Sequence, residues 1–195
     1  MEYAKKEGEM LEKLFGAKPV KPATREEVLS LLQKEGAFDL FHFAGHGKAE
    51  EKQITEAVIK LESAGAEANK MLADLKPEDI GFANTLEDKD GRGAIVVLNA
   101  CEVGRTGDYI TKTGGFAPAF LEKQAGVFIG ALWDISDEPA FTFIEKFYEV
   151  LLEGKTVAEA VRQARKKAYE KGDATFLAYT VYADPFAHLV KNDAQ

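Results

Sequence analysis

A single cysteine, three histidines and a deficit of positive charge each remove a class of protein from consideration. One thiol excludes an internal disulfide framework and any multi-thiolate zinc or iron–sulfur centre, and such sparse use of cysteine points to a reducing compartment, the cytoplasm. With 25 Lys and Arg against 33 Asp and Glu, the net charge is −8. That balance disfavours counterion-release binding to nucleic acid and a polybasic membrane anchor. The longest apolar runs, Ala94–Leu98 and Ala125–Trp133, fall far short of the roughly 18 to 20 residues a spanning helix needs. The N-terminus mixes acids and bases at helical spacing and so does not read as a secretory signal. Repeats of fixed period and Gly-, Pro- or Ser-rich linkers are also missing, so residues 1–195 read as one domain. What is present, 46% apolar residues and 10% aromatics with only 6 prolines, is enough to build a core.

Hydrophobic periodicity predicts an amphipathic helix over 3–15 with Met10, Leu11, Leu14 and Phe15 on one side. Thr24-x-x-Glu27 is a capping box for a second helix through Leu32. Phe38–Phe43 reads as a buried strand closed by Gly45 and Gly47, and the turn between them carries His46. In the poorly legible stretch 48–92, Ala57–Glu62 suggests a strand, Lys76-Pro-Glu-Asp a short helix and Leu86–Gly93 a charged turn. Ala94–Leu98 is a β-branched central strand that delivers Asn99-Ala-Cys101, followed by a polar loop, Glu102–Gly115. Residues 116–124 read as helix, and Gly126–Trp133 as a third buried strand ending in Asp134-Ile-Ser-Asp137. Ser136 is placed to cap a long helix with a buried stripe of Phe141, Ile144, Phe147, Tyr148, Leu151 and Leu152, stopped by Gly154. Thr156-x-x-Glu159 caps a helix to about Glu170, and Thr175–Tyr182 suggests a last strand.

Continuous apolar strands separated by helices indicate an α/β protein whose mostly parallel sheet lies between helical layers. Functional loops of such sheets lie beyond the carboxyl ends of the strands, where His46, Cys101 and Asp134 all fall. A thiol attacks a carbonyl only as the thiolate, so a nucleophilic Cys101 needs an imidazole, and His46 is suitably placed. The backbone N–H groups of Gly47 and Cys101 could face a developing oxyanion. A buried structural cysteine with a hydrogen-bonded core histidine is the alternative that spacing alone leaves open.

Three segments in order, His42-Phe-Ala-Gly-His46-Gly47, Val97-Leu-Asn-Ala-Cys101-Glu-Val-Gly104 and Ala131-Leu-Trp133-Asp-Ile-Ser-Asp137, resemble the CHAT family of caspase-like cysteine peptidases, relatives of caspases, gingipains and separases. Phe147–Gly154 and Val157-Ala-Glu-Ala160-x₃-Ala164 resemble two further family segments, so the likeness spans about residues 20–185. It implies a caspase-hemoglobinase three-layer sandwich, with His46 as general acid/base and Cys101 as nucleophile. It also implies a specificity pocket in which Asp134 or Asp137, with Trp133 alongside, receives a basic P1 side chain of a protein or peptide substrate, as the similar stretch of separases suggests. Four departures stand out. The family's opening strand is not found ahead of the first helix, and the helical repeats that often precede the domain are missing, so an activating protein or upstream helical-repeat region is the expected partner. Asn99 replaces a small residue such as Ser, and Ala183 replaces the glycine of a closing Gly-Asp-Pro turn.

His42 and His46 have a zinc-like spacing, but they lie on a strand and its turn with Phe, Ala and Gly between them, so no metal or other cofactor is expected and His42 reads as a packed strand residue. Asp134 and Asp137 also suit a helix start, and Trp133 a buried structural role. The basic stripe Arg162, Arg165, Lys166, Lys167 and Lys171 reads as a solvated face. Two rivals to an endopeptidase are a catalytically silent scaffold of the same fold and a small-molecule hydrolase with the same dyad.

Overall fold

Successive side chains of a strand point to opposite faces of its sheet, and in this chain both sets are apolar. The computed structural model describes residues 2–50, 53–62, 74–100, 107–108 and 113–190. In chain order the elements are α1 (Glu2–Phe15), α2 (Arg25–Leu32), β1 (Leu40–Ala44), β2 (Gly47–Glu50), β3 (Gln53–Lys60), β4 (Asp74–Leu75), α3 (Pro77–Ile80) and β5 (Ile95–Asn99). They continue with β6 (Gly107–Asp108), β7 (Thr113–Gly114), α4 (Phe116–Glu122), β8 (Val127–Ala131), α5 (Asp137–Leu152), α6 (Val157–Tyr169), α7 (Thr175–Ala178) and β9 (Tyr179–Ala183). The central sheet runs β1-β5-β8-β9. Its first three strands are parallel and β9 is antiparallel to β8.

Phe41, Val96, Leu98 and Phe128 enter one core with Val28, Leu32, Phe116 and Phe120, which places α2, α3 and α4 on that face. Val97, Val127, Ile129 and Ala131 enter a second core with Leu11, Phe143, Ile144, Phe147, Ala160 and Ala164, which places α1, α5 and α6 on the other. The result is the three-layer α/β sandwich with a mostly parallel sheet that the apolar strands call for. Phe116, Phe120, Phe128, Phe143 and Phe147 are fully buried, each contributing up to about 3 kcal/mol relative to exposure.

Two glycines set the strand starts level. Gly126 donates its N–H to the Ala94 carbonyl at 3.0 Å, and a Cβ added to Gly93 would overlap the Gly126 backbone nitrogen. The backbones of β5 and β8 therefore approach as only glycine permits.

Several boundaries differ from the sequence reading. The segment Thr175–Tyr182 is divided: Thr175–Ala178 forms α7, and the strand is Tyr179–Ala183. The strand expected over Ala57–Glu62 is β3, which starts four residues earlier and belongs to a separate antiparallel sheet, β2-β3-β4. On α5, Phe141 and Leu152 are half-buried while Phe143 is fully buried, because α1, α6 and the sheet enclose most of its circumference. The polar loop after Cys101 is described only at β6, β7 and Gly115; β6 and β7 pair antiparallel.

Candidate active site

Parallel register brings the site together. Ala44 pairs with Asn99 and Leu98 with Gly130, so the carboxyl ends of β1, β5 and β8 lie within a residue of one level. Gly45 donates its N–H to the Asn99 carbonyl at 3.2 Å, closing β1 onto β5. His46 follows two residues after β1 and is exposed, and its carbonyl accepts the Lys60 N–H at 3.0 Å. Gly47 opens β2 opposite Ile59. At Gly45 a Cβ would meet only the end of the Phe43 ring, at 2.8 Å. Ala100 is buried. Cys101, which follows it in the chain, lies outside the described residues, as does most of Glu102–Gly115.

Trp133 follows two residues after β8 and is 40% exposed, which overturns the buried structural alternative. Asp134 and Asp137 are exposed, with Asp137 as the first residue of α5, where the helix dipole favours an acid. Ser136 occupies the cap position of α5 but makes no side-chain cap bond. Its hydroxyl instead donates to the Asp173 carboxylate, and this bond together with the Thr175 N–H holds the Asp173 carboxyl below its usual value of 3.8. The Ser136 N–H donates to Thr175 Oγ1 at 3.2 Å, and the Leu132 N–H to the Ala178 carbonyl at 2.8 Å. The segment bearing Trp133, Asp134 and Asp137 is thus fixed from beneath by residues 173–178, whose role was not legible in the sequence.

Behind the strand ends lies a buried polar network. His42 Nε2 is 2.7 Å from Glu7 Oε2, and His42 Nδ1 is 2.9 Å from Tyr148 Oη. Asn99 Nδ2 donates to Glu7 Oε1 at 2.6 Å, and Tyr179 Oη donates to Asn99 Oδ1 at 2.5 Å. An ionised carboxylate only accepts, so with Glu7 ionised His42 carries its hydrogen on Nε2. Burial, with the Glu7 charge second, pushes the Tyr148 phenol well above its ordinary value, keeping its O–H available to Nδ1. Both ring nitrogens of His42 are therefore occupied within the fold, which leaves the His42–His46 spacing without a free imidazole at its first member. The signal for Glu7 in the sequence is a carboxylate interrupting the apolar side of α1, between Tyr3 and Leu11 at helical spacing.

The basic stripe of α6 is only in part a solvated face. Arg162 pairs with Glu159, which is drawn down to about 2 by Arg162 and then Gln163. Arg165 turns inward and donates to the Tyr179 carbonyl at 2.8 Å, tying α6 to the start of β9.

Residues 1–187 match the sequence profile of the family described as the CHAT domain. The chain belongs to the CHAT-domain family. The CHAT domain is similar in fold to separase from Saccharomyces cerevisiae, solved in complex with securin, at 20% identity and a TM-score of 0.58 over 93% of this chain and 11% of that one. It is also similar to gingipain R, an Arg-specific cysteine proteinase, at 15% identity and a TM-score of 0.65 over 96% of this chain and 42% of that one. A complex of the pro- and mature domains of RgpB from Porphyromonas gingivalis matches at 14% identity and a TM-score of 0.57, over 94% and 42% of the two chains. The fold is caspase-like, and this chain spans less than half the length of these neighbours. No curated protein sequence matches the chain. Among the described residues no helix is long and apolar enough to cross a membrane.

Proposed function

We propose that this CHAT domain, read as a single unit over 1–195, is a cysteine endopeptidase in which His46 acts as general acid/base and Cys101 as nucleophile. The observation that carries the reading is the common level of three strand ends, from which the chain runs into His46, Cys101 and Trp133. His46 takes the thiol proton, the thiolate adds to the scissile carbonyl, and the protonated imidazole then supplies the proton to the leaving amine. The backbone N–H groups of Gly47 and Cys101 stabilise the oxyanion. Water next adds to the acyl-enzyme with His46 as base, releasing the acid and restoring the thiol.

A carboxylate at Asp134 or Asp137, beside the exposed Trp133, suits a Lys or Arg P1 side chain by a charge-assisted hydrogen bond. The Arg specificity of gingipain R supports that class of substrate. Separase solved with securin and RgpB solved with its pro-domain support control by a partner protein, and the single cysteine supports work in a reducing compartment, the cytoplasm.

The test is turnover of a fluorogenic peptide library varied at P1. Wild type should prefer Arg or Lys, Cys101→Ala and His46→Ala should lose turnover by several orders of magnitude, and Asp134→Asn or Asp137→Asn should lower cleavage after Arg or Lys about 100-fold more than after Leu. Undiminished turnover in either dyad variant rules out the peptidase reading, and an unchanged P1 profile in both Asn variants rules out the acidic pocket.

A further inference from the structure

Glu7 is a carboxylate on an amphipathic helix, a residue type that ordinarily faces water, yet it is 2% exposed. A buried carboxylate is retained only where partners satisfy it, and Glu7 has two, on different strands. One carboxylate oxygen meets His42 of β1, four residues before His46, and the other accepts from Asn99 of β5, two residues before Cys101. The side chains involved are almost fully covered, His42 at 5% and Glu7 at 3% exposed. Tyr148 of α5 holds the far side of His42, and Tyr179 of β9 holds the far side of Asn99 while stacking on Phe143 at 4.0 Å.

We infer that Glu7 is a positioning residue of the active site: its carboxylate, through His42 and Asn99, fixes the two strands that lead into His46 and Cys101 relative to each other, so that the seating of α1 governs how well the dyad is aligned. This rests on the dyad proposed above. The backbone ladder from Leu40–Ile95 to Ala44–Asn99 and the Gly45–Asn99 bond already pair β1 with β5, and on the α1 face a single carboxylate ties a side chain of each strand to the other near the ends that lead into the dyad. Withdrawal of α1 removes the shared acceptor from His42 and Asn99 together. Reaction geometry is sensitive on this scale, since a misplacement of about 1 Å costs on the order of 100-fold in rate.

Cys101 is the protein's only thiol, so its alkylation by iodoacetamide at fixed neutral pH reports on the dyad without any knowledge of substrate. Wild type, His46→Ala, Glu7→Leu, Glu7→Gln and Tyr148→Phe are compared by alkylation rate, alongside thermal melts and far-UV circular dichroism. The dyad reading requires His46→Ala to slow alkylation. Given that, Glu7→Leu should slow it at least about tenfold while still folded at the assay temperature. Glu7→Gln, which offers one acceptor and one donor and is met by the other tautomer of His42, should recover most of the rate, and the mild Tyr148→Phe should give an intermediate loss. If His46→Ala changes nothing, the dyad itself fails. If His46→Ala slows alkylation but the Glu7 and Tyr148 variants react like wild type, the positioning inference alone is overturned. If Glu7→Leu does not fold, Tyr148→Phe decides: a wild-type rate overturns the inference and a slowed one supports it. Slowing in Glu7→Gln as large as in Glu7→Leu also overturns it, because hydrogen bonding then would not be the cause.

Discussion

His42 and Asp173 are the residues whose surroundings change their meaning most. His42 is, as the strand pattern indicated, a packed side chain, but its packing is polar, between Glu7 and Tyr148. Asp173 gave no signal in the sequence, yet it accepts the Ser136 hydroxyl and the Thr175 N–H beneath the loop of Trp133 and Asp134. Because these bonds hold its carboxyl below 3.8 in the folded chain, they add stability in full above that value and lose it as the pH falls through the folded value. The melting-temperature margin of wild type over Asp173→Asn should therefore be constant from neutral pH down to about 5 and shrink below 3.8. A margin unchanged in acid would show that the carboxylate charge is not what holds the loop.

Elements carried by local rules were legible in the sequence. Thr24 and Thr156 each accept the N–H three residues on, as their capping boxes indicated, and Gly154 stops α5 with a φ of 78°. What was not legible depends on distant partners. Helical spacing puts Glu7 on the apolar side of α1, but its partners His42 and Asn99 lie 35 and 92 positions away, and no periodicity names them. Residues Thr175–Ala178 contain Thr and Phe and so read as strand, but they turn as α7 beneath the loop that follows β8. Glycines told of turns more clearly than of contacts, and the meeting of Gly93 with Gly126 emerges only in the fold. Gly93→Ala should cost about 2 kcal/mol, since the clash is with backbone that cannot rotate away. In a thermal melt that is a loss of several degrees, and a melting temperature equal to wild type would mean that β5 and β8 are not held together there.

At the scale of the whole molecule, the apolar strands separated by helices and the three motif segments led to the same α/β sandwich that the chain adopts. His46 and Asp134 follow strands whose carboxyl ends share one level, while Cys101 lies outside the described residues. A silent scaffold would need the same fold and core but not a reactive thiol, so the distinction rests on chemistry at one atom. The most direct measurement is the intact mass of the protein after exposure to an acyloxymethyl ketone bearing P1 Arg, with Cys101→Ser and His46→Ala treated alongside. A peptidase gives a single adduct on wild type, blocked by excess P1-Arg peptide and lost in both variants. Wild type that stays unlabelled, or a Cys101→Ser variant that labels equally, would contradict the cysteine peptidase account.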